Sequence, residues 1–494
     1  MRWPLPLILL LAALSRPTAR ERVDAALARI AELDARGPSL HAMIELNPDA
    51  VRIADRLDRG RPGASPLWGD PIVVKDNLDT ADAMQTSAGS LGLVGAPAPR
   101  DSTVVARLRR AGLVLLGKSN LSEWANIRSS HSTSGWSARG GQTRNPYALA
   151  RTPCGSSAGS AVAVAAGYVT VAIGTETDGS IVCPSSVNGI VGLKPTLGLV
   201  SRAGIVPISH DQDTAGPMAI DVRHAAELLA VVAGADPRDP ATAGADAHVV
   251  DYVAALDAGA LRGARLGVVR KLAGFDPAVD RLLDAAVSVL RRAGATVIEV
   301  QIPHLGELGD DELTVLTWDL KTDLTAYLAT RPGVPIRSLA DAIAFDERHA
   351  AEEMPWFGQE LFEKAQAAGS LGDATYLAAL SRIRKLAGPE GLEAALARDR
   401  LDALLAPTTG VATLVDYLNG DAIAGSASQL PAIAGTPHLT VPMGTIHGLP
   451  VGLSFMGARW SEARLLALGY AWERLAPPRA PPAFPIDVIP PNGR

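Results

Sequence analysis

The chain has 494 residues, with 46 Lys and Arg against 52 Asp and Glu, and a formal net charge of −6. Apolar residues make up 47% and charged residues 20%, the balance of a folded globular chain and not of a disordered one. The absence of a long Lys/Arg run argues against a nucleic-acid groove or an anionic-membrane surface, and two cysteines cannot build a disulfide framework, allowing at most one bridge or two thiols.

In chain order, Met1-Arg2 opens a short positive segment, Leu5 to Leu14 is an almost unbroken apolar run, and small residues follow. This pattern predicts an export signal over 1–19, with Ala13-Leu14-Ser15 or Pro17-Thr18-Ala19 as the cleavage site and a periplasmic or secreted protein as the product. No other stretch reaches ~18 apolar residues in a row, so no stable membrane insertion is expected after processing. Val23, Ala26, Leu27, Ile30 and Leu33 recur at helical spacing, and Gly37-Pro38 stops the run. Ile72-Val73-Val74 reads as a strand ending at Lys75, Val104 to Ala111 as a helix, and Leu113 to Leu116 as a buried strand. Strand and helix patterns alternate, which predicts an α/β fold.

The stretch 155–198 is rich in Gly and Ser, yet Ala161 to Ala166 is apolar and Val169, Val171 and Ile173 alternate. Linkers carry no such pattern, so the glycines are read as tight geometry inside a packed domain. Residues 220–400 read as a mostly helical layer with a strand at 295–300. Strand-like runs return at Leu439-Thr440-Val441 and Val451-Gly452-Leu453, and a proline-rich tail from Pro477 reads as an extended strap. With no clean linker and no internal repeat, the expectation is one domain over 20–494, with a core at about 60–220, the helical layer at about 220–400 and core strands at about 400–475.

Three pieces of text carry chemistry: Lys75 in Pro71-Ile72-Val73-Val74-Lys75-Asp76-Asn77, Ser156 in Gly155-Ser156-Ser157-Ala158-Gly159-Ser160, and Ser180 in Gly179-Ser180-Ile181. Further segments follow: Gly192-Leu193-Lys194-Pro195-Thr196, Asp213-Thr214-Ala215-Gly216-Pro217, Ala233-Gly234-Ala235-Asp236-Pro237 and Gly448-Leu449-Pro450-Val451-Gly452-Leu453. In this order, over roughly 60–480, they resemble the amidase signature family. The resemblance implies a central mixed twisted β-sheet covered by helices on both faces. It implies Ser180 as nucleophile, Ser156 as proton relay and Lys75 as base, with the backbone N–H groups of Thr177, Asp178, Gly179 and Ser180 as oxyanion hole and a cis bond between Gly155 and Ser156.

These residue types suit amide hydrolysis. A serine hydroxyl is a poor nucleophile until its proton is taken, and lysine takes it only when neutral, which burial favours. The apolar approach Ile72-Val73-Val74 supports burial of Lys75, whereas a nearby Asp76 would favour the ammonium. Cys154, Ala158 and Asp178 stand where the family text is commonly glycine, and Val182 where arginine is common. Thr175 to Pro184 and Trp356 to Phe362 look like the bacterial peptide amidases of that family, which hydrolyse the C-terminal carboxamide of peptides. A fatty-acid, aryl or short aliphatic amidase is the alternative. An amidotransferase subunit delivering ammonia to partners is opposed by the export signal, and a non-catalytic homologue by the presence of all three catalytic types.

Each residue also has a structural use. Ser156 and Ser157 could be helix N-caps, Lys118 and Lys194 are read as structural, and Cys154 and Cys183 as small buried packing residues. The aromatic residues of 318–362, Trp318 and Trp356 among them, are read as core. The nine histidines, His210 and His438 included, show no metal-ligand spacing. No metal, cofactor, nucleic acid or obligatory protein partner is expected, only a small-molecule or peptide amide as substrate.

Overall fold

A computed structural model describes residues 16–488. Most of the expected signal, residues 1–15, lies outside the described residues. The strands among these are β1 (Met43–Leu46), β2 (Pro71–Lys75), β3 (Val114–Ser119), β4 (Trp136–Ser137), β5 (Gly141–Gln142), β6 (Val171–Glu176), β7 (Val191–Lys194), β8 (Thr214–Ala219), β9 (Arg265–Val268), β10 (Thr296–Glu299), β11 (Ala403–Pro407), β12 (His438–Ile446) and β13 (Leu449–Met456). Eleven of them form one sheet in the order β1-β3-β2-β6-β8-β7-β12-β13-β11-β9-β10, and β4 and β5 pair separately. β2 runs parallel to β3 and β6, and β9 parallel to β10 and β11, while the other pairs are antiparallel. This is the single large α/β domain with a mixed central sheet that the sequence predicts.

Alternation along each strand feeds two cores. Ile72, Val74, Val171 and Ile173 pack on one face with Leu228, Leu229 and Leu453. Val73 and Ala172 pack on the other with Val162, Val164 and Met218. Both faces are thus covered by helices, which is why these strands read as apolar runs. The helix Ala158–Ala165 is buried along its whole length, so the Gly/Ser-rich stretch belongs to the centre of the molecule.

At the N-terminal side, the predicted helix runs Ala19–Leu33 and buries Ala19, Val23, Ala26, Ile30 and Leu33. Thr18 caps it: its hydroxyl accepts from Glu21 N–H at 3.1 Å and the Glu21 carboxylate accepts from Thr18 N–H at 2.8 Å. At the other end, the Leu149 and Ala150 N–H groups donate to Pro485 and Ile486, and the Tyr147 hydroxyl to Ala480. The tail therefore lies as a strap along 147–151. Among the strands that the sequence reading does not mark, β9 interrupts what reads as a helical layer. Its Arg265-Leu266-Gly267-Val268 text is short and holds a glycine, leaving too few positions for a period to show.

Candidate active site

Val74 stands opposite Ile173 in the parallel β2–β6 pair, so the end of β2 brings Lys75 beside Thr175. Lys75 is fully buried. Its Nζ donates to Ser156 Oγ at 2.7 Å, to Thr175 Oγ1 at 2.8 Å and to the Thr175 carbonyl at 3.3 Å. Burial lowers the ammonium to a pKa of about 7, although the charges of Asp213 and Glu176 pull the other way. Asp76 is not the opposing charge that its position beside Lys75 suggests. It follows on the other face of the strand, where its carboxylate accepts from the Ser87 N–H and hydroxyl and faces Lys118 and Arg139.

The two serine strings meet through the backbone. The Gly155–Ser156 bond is cis. The Ser156 carbonyl accepts from Ser122 N–H at 3.0 Å, and Ser157 N–H donates to the Ser180 carbonyl at 3.2 Å. A Cβ at Gly155 would run into the Ser122 hydroxyl, so this position requires glycine. Ser157 holds the N-cap position of the helix Ala158–Ala165 but makes no side-chain cap bond. Its hydroxyl instead donates to the Thr175 carbonyl at 3.0 Å and accepts from Thr175 N–H at 3.2 Å, fastening the serine loop to β6. Ser180 is 8% exposed and follows Gly179, whose φ of +79° is a left-handed conformation that glycine adopts without strain.

A buried carboxylate, Glu176, and a half-buried one, Asp213, hold the loop between β6 and Ser180. Glu176 accepts from Ile181 N–H at 2.8 Å and Val182 N–H at 3.0 Å, and the Gly179 N–H also faces it. Asp213 accepts from the Thr177 hydroxyl at 2.6 Å and from the N–H groups of Ile208 and Ser209 at 2.8 and 3.0 Å. The N–H groups of Thr177, Asp178 and Ser180 donate to no carbonyl or side chain among the described residues. Donors of this kind are what a carbonyl oxygen gaining charge requires. A cavity of about 910 Å³ adjoins this region, with Asn77, Thr175, Thr177 and Asp213 in its lining but not Lys75, Ser156 or Ser180. Ala125, Ile205, Val206 and Ile208 give it apolar walls, and Arg202, His210 and Asp323 also line it.

Several structural readings of the sequence are modified here. Cys154 and Cys183 are buried beside Val187 and Ala412 but are bonded to each other, tying the segment before Ser156 to the helix after Ser180. Lys118 is structural, donating to the Leu78 carbonyl at 2.7 Å and Thr86 Oγ1 at 2.9 Å. Lys194 is buried beneath Glu176, with its pKa lowered to about 8 by burial. His210 lines the cavity, and its pairing with Asp323 at 3.0 Å raises it to about 9. His438 is buried against Ser454 at 2.6 Å, and burial lowers it to about 3. Trp318 is partly buried against the core, but Trp356 is 44% exposed and stacks on Tyr417 at 4.5 Å, so it is not a core residue. Thr175, Glu176 and Asp213 were given no role from sequence, although all three lie inside the segments that carry the family resemblance.

The Amidase family profile matches residues 21–466. A probable amidase of Arabidopsis thaliana is 40% identical, covering 95% of this chain and 89% of that protein. A glutamyl-tRNA(Gln) amidotransferase component from Symbiobacterium thermophilum is 35% identical, covering 93% of each chain. The native peptide amidase of Stenotrophomonas maltophilia is 52% identical, with a TM-score of 0.90 over 95% of this chain and 96% of that one. With a family profile spanning nearly the whole chain and this fold around a buried lysine and two serines, the chain belongs to the amidase family and is a hydrolase of C–N bonds.

Proposed function

We propose that the protein hydrolyses the C-terminal carboxamide of peptides through Ser180, Ser156 and Lys75, releasing ammonia. The observation that carries this reading is the 2.7 Å contact between Ser156 Oγ and a fully buried Lys75 whose pKa lies near 7. At neutral pH a large share of that lysine is a free amine, able to accept a proton. Ser180 Oγ attacks the substrate carbonyl while its proton passes to Ser156 and that of Ser156 to Lys75. Negative charge gathers on the carbonyl oxygen and is met by the backbone N–H groups of Thr177, Asp178 and Ser180, that of Gly179 being turned to Glu176. Collapse breaks the C–N bond, and a proton returned through Ser156 lets ammonia leave. Water then attacks the Ser180 ester by the same route reversed, freeing the acid.

The peptide amide is favoured by the 52% identity to a peptide amidase and by a cavity whose volume suits a peptide body better than a small aliphatic amide. Ammonia release from peptide amides, aryl amides and fatty amides tests it: turnover of the last two without the first refutes the substrate. The resemblance to an amidotransferase component gives a second reading. Co-purification with partner proteins would favour it over a stand-alone enzyme.

We also infer export. A disulfide beside the proposed nucleophile suits an oxidising compartment. Cleavage after Ser15 keeps Thr18 and its capping box, whereas cleavage after Ala19 removes the cap. N-terminal sequencing of protein recovered outside the cytoplasm checks this, and an uncleaved Met1 start refutes it.

A further inference from the structure

The outer side of the site carries apolar surface that the core does not account for. Trp356 is 44% exposed and stacks on Tyr417, with ring centres 4.5 Å apart and planes 22° from parallel. Leu418, the next residue, is 81% exposed. Both stretches that supply these side chains are held firmly. Phe357 is buried between the Arg128 guanidinium, 4.7 Å from its ring centre, and the Trp136 ring, 5.2 Å away and edge-on. Anchored there, Phe357 leaves its neighbour Trp356 facing outward. The Asp416 carboxylate accepts from the N–H groups of Leu418 and Asn419 at 2.9 and 3.0 Å, and from Asn419 Nδ2 at 2.7 Å. Leu418 is therefore presented by an ordered turn. Rings and apolar side chains fixed in advance offer contact area at little ordering cost.

Two routes connect this shelf to the catalytic groups. The first is the loop 408–428, which leaves β11. At its start, Thr409 Oγ1 donates to Ser186 Oγ at 3.3 Å, in the helix Val182–Val187 that follows Ser180. At its end, Ser428 Oγ lies 3.0 Å from where a Cβ on Gly179 would stand. The loop thus begins and finishes against the nucleophile segment, with Tyr417 and Leu418 near its middle. The second route starts at Ala125, which lines the cavity. Asn126 Nδ2 donates to Ser134 Oγ at 3.1 Å, Ser134 N–H donates to Asp421 Oδ1 at 3.1 Å, and the Thr133 hydroxyl donates to the Asp416 carbonyl at 2.9 Å. Ser134 also stands against Gly155, where a Cβ would lie 3.1 Å from its Oγ. Ser134, Thr133 and Asp416 alone therefore link Gly155 to Tyr417. A peptide held at Ser180 spans such a gap with about three to five extended residues, at about 3.3 Å each.

The carboxylates nearest the shelf, Asp416 and Asp421, are spent on N–H groups of the turn and of Ser134, so the surface left for a ligand is apolar. We propose that Trp356, Tyr417 and Leu418 form a subsite for the acyl part of the substrate, taking an apolar or aromatic side chain about three to five residues before the hydrolysed amide. The proposal rests on the reading of the protein as a peptide amidase. Residues next to the amide meet the loop 177–180, and the shelf fixes the chain farther out.

The test is ammonia release from hexapeptide amides of glycine and serine in which a single leucine is walked along the chain. Wild type should show a KM minimum with leucine at the third, fourth or fifth residue before the amide, about tenfold below the leucine-free peptide, the yield of covering one apolar side chain. Trp356→Ser and Leu418→Ser should each flatten that minimum by raising KM for the favoured peptide. A merely structural role for either residue would lower the melting temperature, or kcat for every peptide alike, and leave the minimum in place, which overturns the proposal. A flat KM along the series in wild type overturns it without any variant. If the shelf instead joins copies of this chain, Leu418→Ser lowers the mass seen in light scattering and the minimum does not move, which also overturns it. Absence of ammonia from every peptide of the series sinks the peptide-amide reading and the shelf with it, whereas turnover without a preference sinks the shelf alone.

Discussion

Lys75→Met is expected to remove activity and to raise stability. Lowering the lysine from 10.5 to about 7 corresponds to about 5 kcal/mol, at about 1.4 kcal/mol for each tenfold change. The folded value lies below the unfolded one, so the penalty is full below pH 7 and disappears as pH rises through about 10. At pH 7 it is still about 4 kcal/mol. Methionine has similar length and no charge, but it leaves the Ser156 hydroxyl without its 2.7 Å partner and weakens the set around Thr175, which returns about 1–3 kcal/mol. The variant should therefore be about 1–3 kcal/mol more stable than wild type at pH 7, with the advantage gone or reversed near pH 10. Urea unfolding at the two pH values measures this. Ammonia release should fall by about 10³, the usual contribution of a positioned base, and wild-type kcat/KM should rise with pH up to a plateau above about 7. A variant retaining activity within tenfold refutes lysine as the base. A variant less stable by the same amount at both pH values refutes the burial argument.

Replacing Cys154 and Cys183 together by alanine should lower stability by about 3–4 kcal/mol, from a loop closed over a separation of 29 residues; an unchanged urea midpoint would mean the bridge contributes nothing. Thr175→Val removes the Oγ1 that accepts from Lys75 and from Asn77 Nδ2 at 3.0 Å, and should cost about 1–3 kcal/mol for the stranded amide along with a drop in kcat visible in steady-state kinetics. His210, raised to about 9 by Asp323, should stabilise the fold fully below pH 6.5 and lose that effect as pH passes about 9. Thermal melts of His210→Gln against wild type should differ at pH 6 and converge at pH 10.

The elements legible in the sequence are those whose local pattern and burial agree. The run Ile72-Val73-Val74 is buried on both sides of the sheet, and the helix Ala19–Leu33 shows its apolar stripe and its cap. What stayed hidden depends on distant pairing. Thr175, the second partner of Lys75, lies a hundred residues away on β6. The cysteines looked like packing residues because nothing in two isolated thiols gives their separation in space, here 6.0 Å between Cα atoms. Trp356 misled for the opposite reason: its neighbours Phe357 and Phe362 are buried, and a period over so short a loop does not say which ring turns outward. Asp76 was a matter of strand alternation, which the sequence contained and which the adjacency to Lys75 obscured.

The site itself explains why so much of this chain is apolar. Lys75, Glu176, Lys194 and Glu312 are all nearly out of solvent, and they come from different parts of the fold: β2, β6, β7 and the helical layer. Such groups weaken a fold unless their partners are fixed in advance. Here they are fixed by a sheet packed on both faces and by a loop fastened at Ser157, Glu176 and Asp213. A loosened core would therefore be felt first as a lysine regaining water, and with it a proton, before the fold as a whole gave way. Core truncations such as Val73→Ala should accordingly shift the acid limb of kcat/KM to higher pH at temperatures where the protein is still folded.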